Sequence, residues 1–312
     1  LAKEAESSAQ LEGTQASVED AYKVDIAEQT PEKRIEAIEI KNYEEAMLSG
    51  ISILEKTAVT PLLIREIHKK LMQGVRGKEK HPGEFRKGEV LIGIHGTTKD
   101  QARYLPPEPT HIPELMEQLN QFIKDRGKIH PLLACAIIHH RFEAIHPFED
   151  GNGRTGRLLI SLFLISQNLL DMPILYPSGY FEKNKDAYIN ALSLVDTKEE
   201  WSPWLTLFLK AMETQAKVAH KIAIDIDELF KFSRSLIENE RANINLIRVL
   251  EHSFTRPYLT SALLSAETGI PRPSCDRYLQ TLAQKEIIKD MGIINRHRVF
   301  ANIHLLGLLR NV

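Results

Sequence analysis

The chain has 312 residues, 43% of them hydrophobic and 26% charged, enough for a sizeable core and for more than one domain. Its net charge of −2 gives no global attraction to nucleic acid or to an anionic membrane. No apolar run reaches membrane length and no signal peptide is evident, so a cytoplasmic protein without a membrane partner is expected.

The first twenty residues are polar and rich in Ser and Glu, which alone would describe a mobile tail. From about residue 30 to residue 210 helical patterns dominate, with Pro61 and Pro82 marking helix starts or turns. Residues 90–93 and 104–107 flank the turn-forming run His95-Gly96-Thr97-Thr98-Lys99-Asp100, which predicts a short β-hairpin. Such a hairpin could hold an extended peptide by strand addition. Residues 132–138 are almost wholly apolar and continue through His139, His140 and Phe142 as a buried helix. Leu158, Leu159, Leu162, Phe163 and Ile165 recur at helical spacing and predict a second. The two cysteines, Cys135 and Cys275, lie far apart in expected helices, so no disulfide framework is implied.

Between those two helices stands His146-Pro147-Phe148-Glu149-Asp150-Gly151-Asn152-Gly153-Arg154-Thr155-Gly156-Arg157. Gly151 and Gly153 can turn successive amides inward as an anion nest, and the new helix adds its free amides and positive dipole end. Arg154 and Arg157, three residues apart, share one helix face and can fork onto phosphate oxygens. His146 can accept a proton near neutral pH. Asp150 can hold Mg²⁺, which binds through one or two carboxylates plus substrate phosphates. Phe148 is expected to anchor the loop in the core. This inventory fits phosphoryl or nucleotidyl transfer. Gly151-x-Gly153-x-x-Gly156 formally matches the dinucleotide fingerprint but does not follow a strand. No G-x-x-x-x-G-K-(S/T) occurs, and His139, His140 and His146 lack the companions of a zinc site.

Downstream, residues 213–240 read as a long charged helix. Residues 259–267, the turn Gly269-Ile270-Pro271 and residues 273–282 then read as helix, turn and helix, with Pro273 in a first turn. The strand-like pairs Ile287-Ile288 and Val299-Phe300, separated by Gly292 and Asn295, complete a winged-helix pattern. Between residues 270 and 300, six cations (Arg272, Arg277, Lys285, Lys289, Arg296, Arg298) face three anions (Asp276, Glu286, Asp290), leaving +3. That bias is below a dedicated DNA-binding patch and favours protein docking or a homodimer, with DNA binding left open.

The loop matches the signature H-x-F-x-(D/E)-G-N-G-R-x-x-R at every fixed position, and the chain thereby resembles the Fic family. The resemblance implies a mainly α fold: a helical Fic core with a small β-hairpin flap, followed here by a C-terminal winged helix-turn-helix domain. It implies a protein adenylyltransferase that moves AMP from ATP to a Ser, Thr or Tyr hydroxyl of a target protein. His146 would be the base and Asp150 the Mg²⁺ ligand. Gly151, Asn152, Gly153, Arg154, Thr155, Gly156 and Arg157 would bind the nucleotide, with Arg157 at the γ-phosphate. Gly83-Glu84-Phe85-Arg86 and Tyr104-Leu105-Pro106-Pro107 resemble the flap region, and residues 179–188 resemble the part that closes on adenine, offering Tyr180 and Asn184. Ser8, Glu12 and Gly13 fit the family's inhibitory motif (S/T)-x-x-x-E-(G/N), in which the glutamate would dock on Arg157 as a brake. The expected division is an inhibitory segment 1–30, a catalytic domain 31–212, a helical connector 213–243 and a winged helix 244–312. The other function class is a nucleotide-sensing, DNA-binding transcriptional regulator, and a related chemistry is transfer or removal of another nucleotide moiety.

Overall fold

The computed structural model describes residues 1–24, 26, 29–75, 79–93, 102–238 and 244–310. Helices hold 67% of the chain and one small sheet the rest of the regular structure, a mainly α fold as expected. The chain forms two compact units. The first comprises residues 1–16 and 35–216, the second residues 17–34 and 217–312. The expected partition therefore shifts at the N-terminus: residues 17–30 pack with the C-terminal unit instead of continuing the inhibitory segment.

In the first unit, α1 (Ala2–Leu11) packs against α8 (Pro177–Lys183) and α7 (Asn152–Ser166). The other helices are the main part of α3 (Pro31–Leu54), α4 (Pro61–Leu71), α5 (Ile112–Lys124), α6 (Pro131–Ile145), α9 (Lys185–Lys198) and the start of α10 (Trp201–Ser235). Their starts follow local chemistry. Thr60 caps α4 by accepting the Leu63 N–H ahead of Pro61 at the first helical position, and Pro131 opens α6 in the same way. Ile112, Met116, Leu119 and Ile123 form the buried stripe of α5. The α6–α7 pair sits at the centre, and α7 is buried on nearly every side. Its polar residues 152–157 are therefore enclosed with the leucines and do not form a solvated face. Beside it Phe181, Tyr188, Trp204 and Phe208 stack in one aromatic cluster, with Trp204 Nε1 donating to Ala136 O at 2.9 Å.

The second unit holds α2 (Val18–Lys23), the remainder of α10, α11 (Ile244–Thr255), β1 (Tyr258–Leu259), α12 (Ser261–Thr268), α13 (Arg272–Gln284), β2 (Lys289–Ile294), β3 (His297–Ala301) and α14 (Ile303–Arg310). The strands pair antiparallel in the order β1-β3-β2. Strand alternation gives the sheet two apolar faces. Leu259 and Phe300 join the core formed by α11, α12 and α13, whereas Tyr258, Val299 and Ala301 face the other way with Leu306. Ile26 and Tyr22 cover that second face, and Ser17 and Asp20 form a capping box that starts α2.

Candidate active site

α6 ends at His146, whose left-handed backbone (φ 48°) turns the chain into the loop. Phe148 is fully buried and stacks on His68 with ring centres 3.7 Å apart. Asn152 closes the loop on itself: the Phe148 N–H donates to its Oδ1 (2.9 Å) and its Nδ2 donates to Phe148 O (2.8 Å). Its side chain therefore staples the loop and does not reach into the cavity. Gly151 takes the left-handed turn expected of it (φ 75°) and caps α7. Gly153, however, lies within the helix, so the nest narrows to the helix start. Its lack of a side chain matters for space: a Cβ there would come within 2.2 Å of Glu12 Oε1. Thr155 Oγ1 bonds back to Gly151 O, and Gly156 lies beneath the Glu143 carboxyl, so both face the protein interior.

Two residues outside the motif hold the loop from behind. His68 accepts the Gly83 N–H on Nδ1 (2.8 Å), which leaves Nε2–H to donate to Asp150 O (2.9 Å). Burial lowers its pKa to about 4, consistent with that neutral form. Arg86, only 3% exposed, donates from Nε to His146 O (2.8 Å), and its own N–H reaches Pro147 O (2.9 Å). Among the described residues the flap pairs through the bridge Ile92–Tyr104, and the Tyr104 hydroxyl donates to Ala144 O (3.0 Å). The expected turn at residues 95–100 lies outside the described residues.

Glu12, His146, Gly153 and Arg157 converge on a cavity of about 920 Å³, whereas Asp150 and Arg154 do not line it. His146 lines it. Its Nδ1 stands 3.3 Å from Glu143 O, so with the proton on Nδ1 the Nε2 lone pair is free. Burial lowers the His146 pKa to about 4, leaving the ring neutral at physiological pH. Arg157, with 3% of its side chain exposed, donates to Ser8 Oγ (2.8 Å), Ser8 O (2.9 Å) and Glu12 Oε1 (2.7 Å). Burial works against the Glu12 charge, but Arg157 and Arg154 outweigh it and hold the carboxyl below its usual range. Arg154 is 5% exposed, yet its Nε and Nη1 donate no hydrogen bond to any described residue, with Glu39 and Asp150 no nearer than 3.8 and 3.9 Å. A buried guanidinium so poorly paired is suited to receiving an anion. The Asp150 carboxylate is partly open to solvent, one oxygen taking the Gly151 N–H (2.6 Å) and the other 3.7 Å from Lys80 Nζ.

The far wall of the cavity is a face of α9. Lys185, Tyr188, Ile189, Leu192, Ser193 and Asp196 all line it, at the i, i+3, i+4 spacing of one helix stripe. Tyr180 and Asn184, expected there from the sequence, are elsewhere. Tyr180 packs half-buried on the hydrophobic core, and Asn184 Nδ2 donates to Tyr180 O (2.9 Å). The amphipathic period of residues 185–196 is the signal that could have found the stripe. His140 lines the cavity beside this stripe, and His139 sits behind it. His139 donates from Nδ1 to Gly156 O (3.0 Å) and takes the Tyr188 hydroxyl on Nε2 (2.8 Å), and His140 Nε2 lies 3.2 Å from Asp196 Oδ1.

α1 is tied to this unit along its whole length. The buried Glu4 carboxylate accepts the Tyr43 hydroxyl (3.0 Å), the Ser178 N–H (3.0 Å) and the Ser178 hydroxyl. Burial pushes that carboxyl up to about 7, against these donors and Arg157. Lys185 Nζ donates to Leu11 O (2.6 Å), and Thr14 Oγ1 to Glu39 (2.7 Å).

A left-handed histidine at a helix end, a stapled loop and two enclosed arginines on the next helix define a protein built to hold an anion beside a base. Residues 58–164 match the Fic/DOC family and residues 1–52 match the Fic/DOC family N-terminal region, so the chain carries a Fic/DOC domain with its N-terminal companion. Over 147 residues it is 30% identical to a protein adenylyltransferase Fic of Drosophila erecta, covering 46% of this chain and 26% of that protein. Over 138 residues it is 30% identical to a probable protein adenylyltransferase of Aquifex aeolicus, covering 44% of this chain and 37% of that one. The chain thus spans about a quarter to a third of the length of these relatives. In fold it is similar to a Fic family protein from Desulfovibrio desulfuricans G20 (TM-score 0.59, 20% identity, 96% of this chain and 86% of the other). It is also similar to Fic-1 (residues 134–508) of C. elegans (TM-score 0.55, 18% identity, 70% of this chain and 61% of the other).

Proposed function

We propose that this protein is a protein adenylyltransferase that transfers AMP from ATP to a hydroxyl of a target protein and is restrained by its own α1. The observation that carries the reading is His146 lining the same cavity as Gly153 and Arg157, with its Nδ1 3.3 Å from Glu143 O. The target hydroxyl oxygen attacks the α-phosphorus as its proton passes to Nε2, and the bond to the β-phosphate oxygen breaks, releasing pyrophosphate. Arg154, the amides at the start of α7 and Arg157 neutralise the phosphates. The partly open Asp150 carboxylate fits an Mg²⁺ ligand, and the cation would supply positive charge that offsets the phosphates. On α9, Lys185 and Asp196 are eleven positions apart, roughly 16 Å along the helix axis. That length suits a nucleotide with its phosphates toward Arg157 and its base toward Asp196 and His140. The Ile92–Tyr104 bridge, both of whose residues line the cavity, offers backbone for an extended target segment to pair with.

Glu12 supplies the restraint by occupying the Arg157 guanidinium that the γ-phosphate needs. The α11–α14 region with its β2–β3 hairpin we read as a winged helix serving protein docking or dimerisation. The test uses ATP labelled on either the α- or the γ-phosphate with the Glu12→Gly protein. Label retained on protein from the α position alone supports AMP transfer. Retention of the γ label, or of neither in the presence of a competent target, overturns it.

A further inference from the structure

We propose that Lys185 is a second cationic ligand for the terminal phosphates of the nucleotide, engaged like Arg157 by the end of α1 when that helix is docked. The proposal rests on the adenylyl-transfer reading above. Lys185 is the first residue of α9 and lines the same cavity as Glu12, Gly153 and Arg157. Its ammonium donates to Leu11 O at 2.6 Å. That carbonyl ends a helix and has lost its usual partner, because the Gln15 N–H points to Glu36 instead (2.9 Å). Leu11 and Glu12 are consecutive, so α1 ends by presenting two oxygens to two cations: a carbonyl to Lys185 and a carboxylate to Arg157. Two oxygens of a terminal phosphate would make the same demand.

The chemistry suits exchange of one for the other. An ammonium carries three N–H donors, and one serves Leu11. The residue is solvent-exposed on a flexible four-carbon stem, so it can follow a phosphate when α1 withdraws. A neutral carbonyl is also a weaker acceptor for an ammonium than a phosphate oxygen. The nucleotide therefore gains at Lys185 as well as at Arg157 when it replaces the end of α1.

The test compares ATP and AMP binding by titration calorimetry in Glu12→Gly protein carrying Lys185→Gln or Lys185→Arg. Loss of a charge-assisted hydrogen bond predicts ATP binding weakened roughly tenfold or more by Lys185→Gln. AMP, which lacks the terminal phosphates, should change less than about twofold, and Lys185→Arg should retain most of the ATP affinity. Unchanged ATP affinity, or equal weakening of ATP and AMP, overturns the proposal, as does an absence of ATP binding to Glu12→Gly. Titration needs no turnover, so the two readings fail separately. A Lys185-dependent preference for ATP without transfer of the α label would sink adenylyl transfer and keep the phosphate role. Transfer with an ATP affinity indifferent to Lys185 would do the reverse.

Discussion

Substitution at Glu12 probes the restraint most directly, and the structure sets its size. Arg157 is enclosed, with 3% of its side chain exposed, whereas Glu12 keeps 44% and is partly solvated. A charge-assisted hydrogen bond in a dry site is worth about 1.5–3 kcal/mol, and an exposed ion pair about 0–1. A half-open pair falls between, about 1–2 kcal/mol. Ser8 keeps its two contacts to the guanidinium, so Arg157 stays in place after the glutamate is removed. At about 1.4 kcal/mol per tenfold, Glu12→Gly should raise productive ATP binding and labelling of a target roughly 5- to 30-fold. Glu12→Gln, which keeps the shape but not the charge, should fall between parent and Glu12→Gly. Combining Glu12→Gly with Arg157→Ala should give no gain, since the freed guanidinium is the functional group. The readout is initial labelling rate against ATP concentration, with thermal midpoints as a folding control. Equal rates for parent and Glu12→Gly on a competent target would refute the restraint.

His146→Ala should lower labelling by about 10²–10⁴-fold with ATP binding within a few-fold of parent, and persistent labelling would remove His146 as the base. Because burial lowers the His146 pKa to about 4, the basic form persists as pH falls and is lost only near that value. The acid limb of kcat/KM in the Glu12→Gly protein should thus lie below pH 6, and a midpoint at the ordinary 6.5 would contradict the burial argument. Glu4→Ala leaves the Tyr43 hydroxyl and the Ser178 N–H without their acceptor, at about 1–3 kcal/mol for a buried unsatisfied group. It should speed amide exchange across α1 roughly tenfold and raise labelling by a route that leaves Glu12 intact; unchanged protection would show that Glu4 does not anchor the helix.

What could be read from the sequence was what lies close together in it. His146 through Arg157 forms a helix end, a turn and a helix start, so residue types and spacing suffice for the loop. The pairing of Glu12 with Arg157 bridges 145 positions and became legible only through a second motif. Glu4 and His68 carry no such signature, and Arg86 stands in the flap motif with no sign of its reach to the loop. They act on Ser178, Asp150 and His146, which lie 174, 82 and 60 positions away, and each alone reads as an ordinary helix or loop residue. Tyr180 and Asn184 do not line the cavity, and the sequence could not show this because an aromatic or amide position on a helix looks the same there whether it faces core, backbone or cavity. Asn152 and Thr155 show the converse: polar residues inside a functional motif can be spent on the loop's own backbone.

The placement of residues 17–34 bears on how the protein can be dissected. Glu19 accepts the Tyr258 hydroxyl (2.8 Å) and the Arg310 guanidinium (Nε 2.7 Å), Lys23 lies over the Tyr258 ring at 4.8 Å, and Ile26 is 4% exposed against the back of the sheet. A chain cut after residue 216 would strip all of these partners while leaving every catalytic side chain in place. Residues 17–24 would lose that anchor, whereas Thr14 and Gln15 would stay bonded to Glu39 and Glu36 of α3. Such a fragment would keep α1 fastened at both ends, by Glu4 to Ser178 and by Thr14 to Glu39, so the restraint and the second unit can be separated by a single cut.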